Sequence, residues 1–204
     1  MSKKDAIIRA ATLLFSKRGF ENTRMSEISR ITGAAEGTIF YHFKNKEDLF
    51  LAVLEQFRKD VITEFDRYLG KMNFQNGMEM LEGCISCYLS LAETMEERFL
   101  LLHRHDAYEL ARDNAACKGH LEAVYNGFVN IFETAICKGM EDGSMAVMPP
   151  RKAALIIFSM VDGLARFSTY ELYDAGSLYQ ELIAVCRRMV GNQGISTTGD
   201  ENAD

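Results

Sequence analysis

Residues 33–49 read GAAEGTIFYHFKNKEDL, and they hold the most informative pattern in this chain of 204 residues. The small residues Gly33-Ala34-Ala35 form a turn that lets a short helix over about 36–42 cross the helix before it. Lys44-Asn45-Lys46 forms a polar turn into a longer helix. Two short helices at this spacing are typical of a helix-turn-helix motif, whose second helix lies in the major groove of DNA. Spacing alone is a weak signal, because many helical hairpins share it.

The residues upstream complete a small head of three helices. Apolar side chains recur at helical spacing over about 4–18, and Lys17-Arg18-Gly19 favours the end of that helix. Thr23 is the expected N-cap of the second helix, which Gly33 terminates. Three apolar side chains of that helix are expected to face inward, namely Met25, Ile28 and Ile31.

The rest of the chain is predicted to be helical as well, because alternating β-branched runs of strand length are almost absent. A long helix over about 46–69 leaves the head and enters a larger body. Further helices are expected near 75–94, 96–104, 107–138, 150–173 and 177–190. The predicted fold class is therefore all-α, with a helix-turn-helix head joined by a long helix to a C-terminal helical domain.

Charge separates the head from the body. The whole chain has a net charge of −6, which by itself argues against a nucleic-acid partner. Residues 1–46 hold nine Lys or Arg against four Asp or Glu, a balance of +5, so the other 158 residues carry −11. This asymmetry favours a polyanion that contacts the head alone. A solvated charged face is the alternative interpretation.

Composition excludes several classes of protein. Lys3-Lys4 is followed by apolar residues that Arg9 interrupts, so no signal peptide is expected. The longest apolar stretch, 153–161, is far short of the roughly 20 residues that span a bilayer. The odd number of scattered cysteines favours buried thiols in a reducing compartment. We therefore expect a cytoplasmic protein with no membrane contact, no disulfide framework, and no metal or cofactor.

A longer pattern of identities resembles a known family. The pattern runs over about residues 4–55 and includes Gly19-Phe20-Glu21-Asn22-Thr23, Glu27-Ile28, Gly33 and 37–49. In these residues the chain resembles the N-terminal DNA-binding domain of the TetR/AcrR family of bacterial regulators. The resemblance implies a homodimer whose heads bind a palindromic operator in double-stranded DNA. It also implies a small-molecule effector in the body that moves the heads apart through the long helix, most often to relieve repression.

The resemblance divides the chain into segments. It implies a DNA-binding domain over 1–50, with the helix-turn-helix at about 25–44. A helical effector-binding and dimerisation domain follows over 51–190. The tail over 191–204 is rich in Gly, Ser, Thr, Asn and Asp, so it cannot bury an apolar face and is expected to be disordered.

Candidate DNA contacts follow from the resemblance, residue by residue. Thr23 and Lys46 look like phosphate contacts, and the recognition helix follows the turn. Gly37 lets the DNA backbone approach closely, and Thr38 can donate to phosphate or touch a thymine methyl. Tyr41 and its neighbour present polar tips at the groove edge. The complete candidate set is Thr23, Arg24, Glu36, Gly37, Thr38, Phe40, Tyr41, His42, Lys44 and Lys46.

Three residues depart from the family pattern. Ala35 stands where the family usually has a Ser that caps the recognition helix, so this helix start is expected to be weaker by about 1 kcal/mol. Glu36 replaces a usual basic residue and can accept from cytosine N4 or lie at the positive helix end. Phe40 replaces the commoner Tyr and removes a hydroxyl donor. Arg24, at the start of the second helix, can restore a phosphate contact.

Structural roles stay open for four of the candidates. Tyr41 and His42 can be packed aromatic residues of the head, because an aromatic at helical spacing is usually core. Lys44 and Lys46 are solvated turn lysines unless DNA is present.

The helix predicted over 150–173 is apolar nearly all round, so it is expected to be buried on two sides. The core of its own chain covers one side, and a partner chain is the natural cover for the other. Together with the next helix, it predicts a four-helix dimer interface from both chains. The candidate interface residues are Ile157, Val161, Leu164, Phe167, Leu178, Leu182 and Met189.

An effector pocket is expected among the helices of 75–173. Methionine adapts to irregular apolar ligands, and aromatic side chains line many ligand sites. The candidate lining residues are Tyr88, Met95, Phe99, Tyr125, Phe128 and Phe132. A lipophilic or aromatic ligand is the resulting hypothesis, while ordinary core packing is the alternative for each of these residues.

Other function classes are weaker. Metal or thiol sensing draws on His103, His105 and the Cys84–Cys87 pair, but two histidines two residues apart point away from each other on a helix. An enzyme is not expected, because no phosphate-binding loop, His-Glu helix motif or nucleophile elbow is present. A helical ligand carrier or interaction module that does not bind DNA is the remaining alternative.

Overall fold

The computed structural model describes residues 2–174 and 176–191, and every regular element within those ranges is helical, which confirms the all-α prediction. No helix in the described ranges is long and apolar enough to cross a membrane. The tail predicted to be disordered lies outside the described residues, apart from Gly191. The helices are α1 (Lys3–Arg18), α2 (Met25–Thr32), α3 (Glu36–His42), α4 (Lys46–Leu69), α5 (Gly77–Thr94), α6 (Glu96–His103), α7 (His105–Asp113), α8 (Ala115–Glu141), α9 (Pro150–Thr169) and α10 (Tyr179–Val190), and a 3-10 turn (Gly176–Leu178) precedes α10.

The head consists of α1 to α3 closed by the first turns of α4. Phe15, Phe20 and Phe50 pack against one another at its centre, with ring centroids 5.3 to 5.7 Å apart. Ile28 from α2 and Ile39 from α3 are fully buried in the same core. The sequence predicted these three short helices correctly, because their apolar spacing and their turns agree with one another.

Two predictions about α2 are wrong. Its N-cap is Arg24, whose N–H donates to the carboxylate of Glu27 at 3.1 Å. Thr23 lies one residue before the helix, and its hydroxyl donates to the Gly19 carbonyl at 2.8 Å. Ile31 is 49% exposed, because it lies on the side of α2 that borders an open cleft between the head and the body.

The body is built around the second half of α4, which packs against α5 and α8, with α9 on the other side of those two helices. The single helix predicted over 107–138 is wrong, since the chain forms α7 and α8 with a break at Asn114. The Asn114 side chain accepts from the Cys117 N–H at 3.0 Å and thereby caps α8. An asparagine ends one helix and starts the next because its side chain satisfies a free backbone donor.

Head and body meet at two places. The first is α4, which is continuous from one to the other. The second is α1, which packs against α6 and, at its end, touches the turn between α6 and α7. There the Asp106 carboxylate accepts from the Phe20 N–H at 2.7 Å, and the Arg104 guanidinium donates to the Ser16 carbonyl at 3.2 Å. We call the contact of Arg104 and Asp106 with the end of α1 the joint.

Candidate DNA-binding surface and effector core

The recognition helix α3 packs against the head with one face and exposes the other face to solvent. Ile39 and Phe43 are buried in the head and fix the helix against α1 and α2. Tyr41 is 84% exposed and Phe40 is 46% exposed, so both project away from the core. His42 is half-buried and its ring lies edge-on to that of Tyr41, with centroids 5.2 Å apart. Tyr41 therefore contacts its neighbour His42 but takes no part in the core of the head.

Gly37 lies in the first turn of α3, next to the exposed Glu36. A Cβ atom built on Gly37 would have no neighbour within 4 Å, and its backbone is helical. Neither sterics nor conformation requires glycine here in the free protein, although glycine in a helix costs about 0.5 to 1 kcal/mol relative to alanine. The space above Gly37 is open to a molecule outside the chain.

The start of α3 has no side-chain cap. Its N-cap is Ala35, which forms no capping hydrogen bond, in line with the prediction of a weaker helix start. The first backbone N–H groups of the helix therefore have no side-chain acceptor at this position. Thr38 is half-buried, and its N–H donates to the Ala35 carbonyl at 2.8 Å.

The basic candidates around α3 differ in what they contact. Arg24 and Lys44 have exposed side chains. The Lys46 ammonium donates to the Phe20 carbonyl at 2.8 Å and lies 4.4 Å from the centre of the Phe20 ring, so it ties α4 to the end of α1. Thr23 is buried and its hydroxyl is already donated to Gly19. Its side chain is therefore not available to a phosphate in this structure, which corrects the contact that the resemblance implies.

In the body, four predicted pocket residues meet in one aromatic cluster. Tyr88, Phe99, Phe128 and Phe132 are all fully or almost fully buried, and the Tyr88 ring lies 5.3 Å from Phe99 and 4.9 Å from Phe128. Phe158, which the sequence did not single out, stacks on Phe128 at 5.5 Å. The four residues therefore pack against their neighbours in the body core.

The other two predicted pocket residues lie at the margin of this cluster. Tyr125 is half-buried, 6.1 Å from the Phe158 ring, and its hydroxyl is hydrogen-bonded to that of Tyr108. Met95 is half-buried at the junction of α5 and α6. None of the six predicted residues lines either of two cavities on the described chain. One is a cleft of about 830 Å³ between head and body, and the other is a groove of about 340 Å³ between α5 and α9.

A buried polar triad lies against the aromatic cluster. The Tyr88 hydroxyl donates to Asp162 Oδ1 at 2.5 Å, and His103 Nε2 lies 2.9 Å from the same oxygen. Burial raises the pKa of Asp162, but the hydrogen bonds from His103 and Tyr88 outweigh it and hold that pKa below its ordinary value. Burial raises the pKa of Tyr88 far above its usual range, so its hydroxyl stays protonated. We call Tyr88, His103 and Asp162 the triad.

His103 is only partly satisfied in the triad. Its side chain is fully buried, and Nδ1 is the one buried side-chain nitrogen or oxygen without a hydrogen-bond partner among the described residues. Sequence reasoning missed Asp162, although it is the residue that ends the apolar run of 153–161. An acid that interrupts an otherwise apolar helix was the available signal.

The predicted dimer interface is partly wrong. Ile157, Val161 and Leu182 face the core of their own chain and are buried there. On α9 the exposed apolar residues are offset by one position from Ile157, because the positions that face the core recur at 154, 157, 158, 161 and 165. Its exposed residues are Leu155, Ile156, Phe167, Val185 and Met189, while Leu178 in the 3-10 turn is also exposed and Leu164 is half-buried.

The buried thiols are poorly suited to sensing. Burial raises the pKa of Cys84 and Cys87 to about 12, and that of Cys117 and Cys186 to about 11. A thiol with a raised pKa is a weak nucleophile and a weak metal ligand, since the thiolate is the reactive form. Within the described residues, no three His, Cys, Asp or Glu side chains come together as a metal ion would require.

The family model described as bacterial regulatory proteins, tetR family, matches residues 7–53, which contain α2, α3 and the start of α4. Residues 7–53 therefore form a TetR-family DNA-binding domain. Proteins with this domain are DNA-binding transcriptional regulators and not enzymes. The match ends where the body begins, so it covers the DNA-binding surface and not the effector core.

Two relatives that are similar in sequence are also regulators by name. The fatty acid metabolism regulator protein of Bacillus subtilis (strain 168) is 24% identical over 157 residues, which cover 76% of this chain and 78% of that protein. QacR of Staphylococcus aureus (strain Mu50) is 39% identical over 70 residues, covering 30% of this chain and 37% of QacR. The higher identity is confined to a short part of the chain.

Solved structures share the fold over most of the length. FadR from Bacillus subtilis in complex with stearoyl-CoA has a TM-score of 0.73 at 22% identity and covers 89% of this chain and 96% of that chain. A transcriptional regulator from Saccharomonospora viridis in complex with choline has a TM-score of 0.79 at 18% identity and covers 93% of this chain and 98% of that chain. At these identities the likeness shows the fold alone.

Proposed function

We propose that this chain is a TetR-family regulator, namely a homodimeric repressor that binds a palindromic operator through α3 and releases it when a small molecule binds in the body. The observation that carries the proposal is the exposed face of α3. Tyr41 is 84% exposed and takes no part in the core of the head, beside a glycine that nothing in the free chain requires. Such a face is suited to the major groove, where polar side chains read base edges and glycine admits the DNA backbone.

Residue roles within this proposal follow from exposure. Tyr41 and His42 read base edges, and Glu36 and Phe40 border the groove from the exposed face of α3. Arg24 and Lys44 contact phosphates on either side. Two further candidates, Gly37 and Thr38, face the backbone of one strand, and Lys46 acts by holding α4 against Phe20.

The experiment is operator selection followed by measured binding. Genomic fragments bound by the purified full-length protein define the operator, and fluorescence anisotropy then gives the affinity at several salt concentrations. The logarithm of the binding constant is expected to fall with the logarithm of salt by a slope of about −0.9 per neutralised phosphate. Binding that is independent of sequence would contradict the proposal.

Substitution of Tyr41 tests whether the exposed face of α3 contacts the bases of the operator. Tyr41→Ala is expected to weaken operator binding by about 5- to 150-fold, because it removes a groove contact worth about 1 to 3 kcal/mol. Val147→Ala, which changes an apolar side chain on the body that is 90% exposed, is the matched control and is expected to leave the affinity unchanged. Equal affinities for both variants would show that α3 does not read this operator.

Dimerisation is proposed through the exposed apolar face of α9 and α10. Ile156 is 55% exposed and Leu155 is 45% exposed, and Val185 and Met189 extend the same apolar surface on α10. Contiguous exposed apolar residues on adjacent helices favour association with a second copy, since burial of apolar surface is favourable. Two heads would then face two half-sites of a palindrome.

A lipophilic effector is proposed for the body. Support comes from the likeness to the fatty acid metabolism regulator protein of Bacillus subtilis and to the FadR structure in complex with stearoyl-CoA. The route from effector to head is short, because His103 of the triad directly precedes Arg104 of the joint. A ligand that displaces the end of α6 would therefore move the contact at Phe20 and shift the head.

A further inference from the structure

The recognition helix α3 is anchored at its middle and at its C-terminal end, where Ile39 and Phe43 are buried in the head. At the other end Glu36 and Gly37 are exposed, and the N-cap Ala35 forms no side-chain hydrogen bond. A helix of seven residues is about 10 Å long, so a small tilt at its start displaces the side chains that face DNA. The placement of this start therefore depends on the residues before it.

Two hydroxyl side chains of α2 hold the turn that leads into α3. Ser29 Oγ donates to the Ala34 carbonyl at 2.7 Å. The Ala34 N–H donates to Thr32 Oγ1 at 3.3 Å, and the same hydroxyl donates to the Ile28 carbonyl at 2.7 Å. Both backbone polar groups of Ala34 are therefore paired with side chains of the preceding helix. We call Ser29 and Thr32 the α2 hydroxyl pair.

Hydroxyl side chains of α1 make a different kind of bond. Thr12 Oγ1 donates to the Ile8 carbonyl at 2.9 Å. Ser16 Oγ donates to the Leu13 carbonyl at 3.0 Å. Bonds of this kind join two turns of one helix and leave the next helix untouched. The α2 hydroxyl pair instead reaches across Gly33, whose φ of +67° ends α2, and ties that helix to the approach of α3.

The turn is shielded enough for these hydrogen bonds to matter. Ser29, Thr32 and Ala34 are half-buried, and Ala34 packs against the core of the head. Water reaches this turn only in part, so a carbonyl or N–H group that lost its partner there would be poorly solvated. The hydrogen bonds therefore favour one placement of Ala34, and with it one direction of entry into α3.

We infer that Ser29 and Thr32 are positioning residues for DNA recognition, which fix the start of α3 through the backbone of Ala34 in place of a cap at Ala35. The inference rests on the proposed function for the statement that α3 reads an operator. Neither side chain has to touch DNA for this role. Loss of either one lowers the fraction of the protein whose α3 is placed for the groove, and the apparent affinity for the operator falls in proportion to that fraction.

Ser29→Ala tests the shorter of the two bonds to Ala34. It is expected to weaken binding to the selected operator by about three- to tenfold, and to leave binding to a scrambled duplex of the same length within about twofold. Binding to the scrambled duplex depends on phosphate charge and not on the direction of α3. Ser16→Ala, which removes a hydroxyl bonded within α1, is the matched control and is expected to change neither affinity.

Fluorescence anisotropy with the two duplexes measures both affinities. An equal loss on the operator and on the scrambled duplex would mean that Ser29 supports the head as a whole. No loss on the operator would mean that the bond to Ala34 does not place α3. Either result would overturn the inference.

Thr32→Val and Thr12→Val form a second matched pair. Each removes a hydroxyl that donates to a carbonyl four residues earlier in its own helix, but Thr32 also accepts the Ala34 N–H. Thr32→Val is expected to weaken operator binding by about two- to fivefold, less than Ser29→Ala because its bond to Ala34 is longer. Thr12→Val is expected to have no effect. Equal losses in both variants would contradict a role of Thr32 at the turn.

A restored cap provides the rescue. Ala35→Ser places a hydroxyl at the N-cap of α3, where it can accept a backbone N–H of the first turn. In a Ser29→Ala background this second change is expected to bring operator affinity back to within about twofold of the wild type. A loss that Ala35→Ser does not reverse would place the effect of Ser29 outside the start of α3 and count against the inference.

Hydrogen exchange of the free protein separates this inference from the proposed function. Ser29→Ala is expected to speed exchange at the Thr38 amide, in the first turn of α3, and to leave the Ile28 amide of α2 unchanged. If the Thr38 amide responds while the wild type shows no preference for any operator, the α2 hydroxyl pair still holds α3 and the reading of an operator fails. If the Thr38 amide does not respond, the inference fails whatever DNA the protein binds.

Discussion

At the scale of the residue, substitution of Gly37 can distinguish an effect on folding from an effect on DNA binding. Its helical backbone and the open space above it mean that alanine fits there without strain. Gly37→Ala is expected to raise the free energy of unfolding by about 0.5 to 1 kcal/mol and to weaken operator binding by at least about tenfold. Urea unfolding and anisotropy with the operator measure the two effects.

Gly119 in α8 is the matched control for Gly37. It is also helical, and a Cβ atom built on it would have no neighbour within 4 Å. Gly119→Ala is expected to give a similar gain in stability with no change in operator affinity. If Gly37→Ala binds the operator as tightly as Gly119→Ala does, the close approach of DNA at Gly37 is disproved.

The sequence predicts some residues of the candidate sites and misses others. The exposed residues Tyr41 and Phe40 could be predicted, because the sequence around them resembles that of a known family. In that family the DNA-binding surface is formed by residues that are close together in the sequence. The triad could not be predicted, since Tyr88, His103 and Asp162 come from three different helices and only packing brings them together. Residues that meet through packing leave no pattern of spacing in a single sequence.

At the scale of the element, the turn between α6 and α7 is predicted to carry the contact between body and head. Asp106→Ala removes the acceptor of the Phe20 N–H and a partner of Arg104. The expected result is a loss of about 1 to 3 kcal/mol in the free energy of unfolding, together with faster hydrogen exchange at the Phe20 amide. Hydrogen exchange followed by NMR measures that amide directly.

Asp113→Ala is the control for the joint. Asp113 lies on α7 as well, but its side chain is exposed and pairs with the neighbouring Arg112. This change is expected to leave both the stability and the Phe20 amide unaffected, because exposed ion pairs contribute little. Unchanged exchange at Phe20 in Asp106→Ala would mean that the joint does not hold the head.

The elements themselves were largely predictable. The three helices of the head and the long α4 follow from apolar spacing and from turn residues that agree with it. The break between α7 and α8 was missed, because the cap formed by Asn114 depends on one side chain within an otherwise helical stretch. The direction of Ile31 was missed as well, because the cleft beside it arises from the placement of the body.

At the scale of the whole molecule, the exposed face of α9 and α10 is the proposed dimer interface. Ile156→Glu is expected to weaken the dimer by at least about tenfold, because it places a charge where a partner chain would bury an isoleucine. Operator binding is expected to fall with it, since one head contacts one half-site. Sedimentation velocity at several concentrations measures the dimer.

Val147→Glu is the control for the dimer. It places the same charge on a body residue that is 90% exposed in the loop between α8 and α9. The expected result is a dimer of unchanged strength with unchanged operator binding. A wild-type protein that sediments as a monomer at micromolar concentration would exclude the proposed assembly altogether.

The joint has a consequence for how such regulators can diverge. On the head side it uses only backbone groups, the Phe20 N–H and the Ser16 carbonyl, so the side chains of α2 and α3 take no part in it. Gly19 is the exception that sequence change must respect, because its φ of +85° and a Cβ only 2.2 Å from the Asp106 carboxylate exclude other residues. A recognition helix transplanted from another regulator is therefore expected to leave the proposed ligand response of this body intact, provided that the glycine stays.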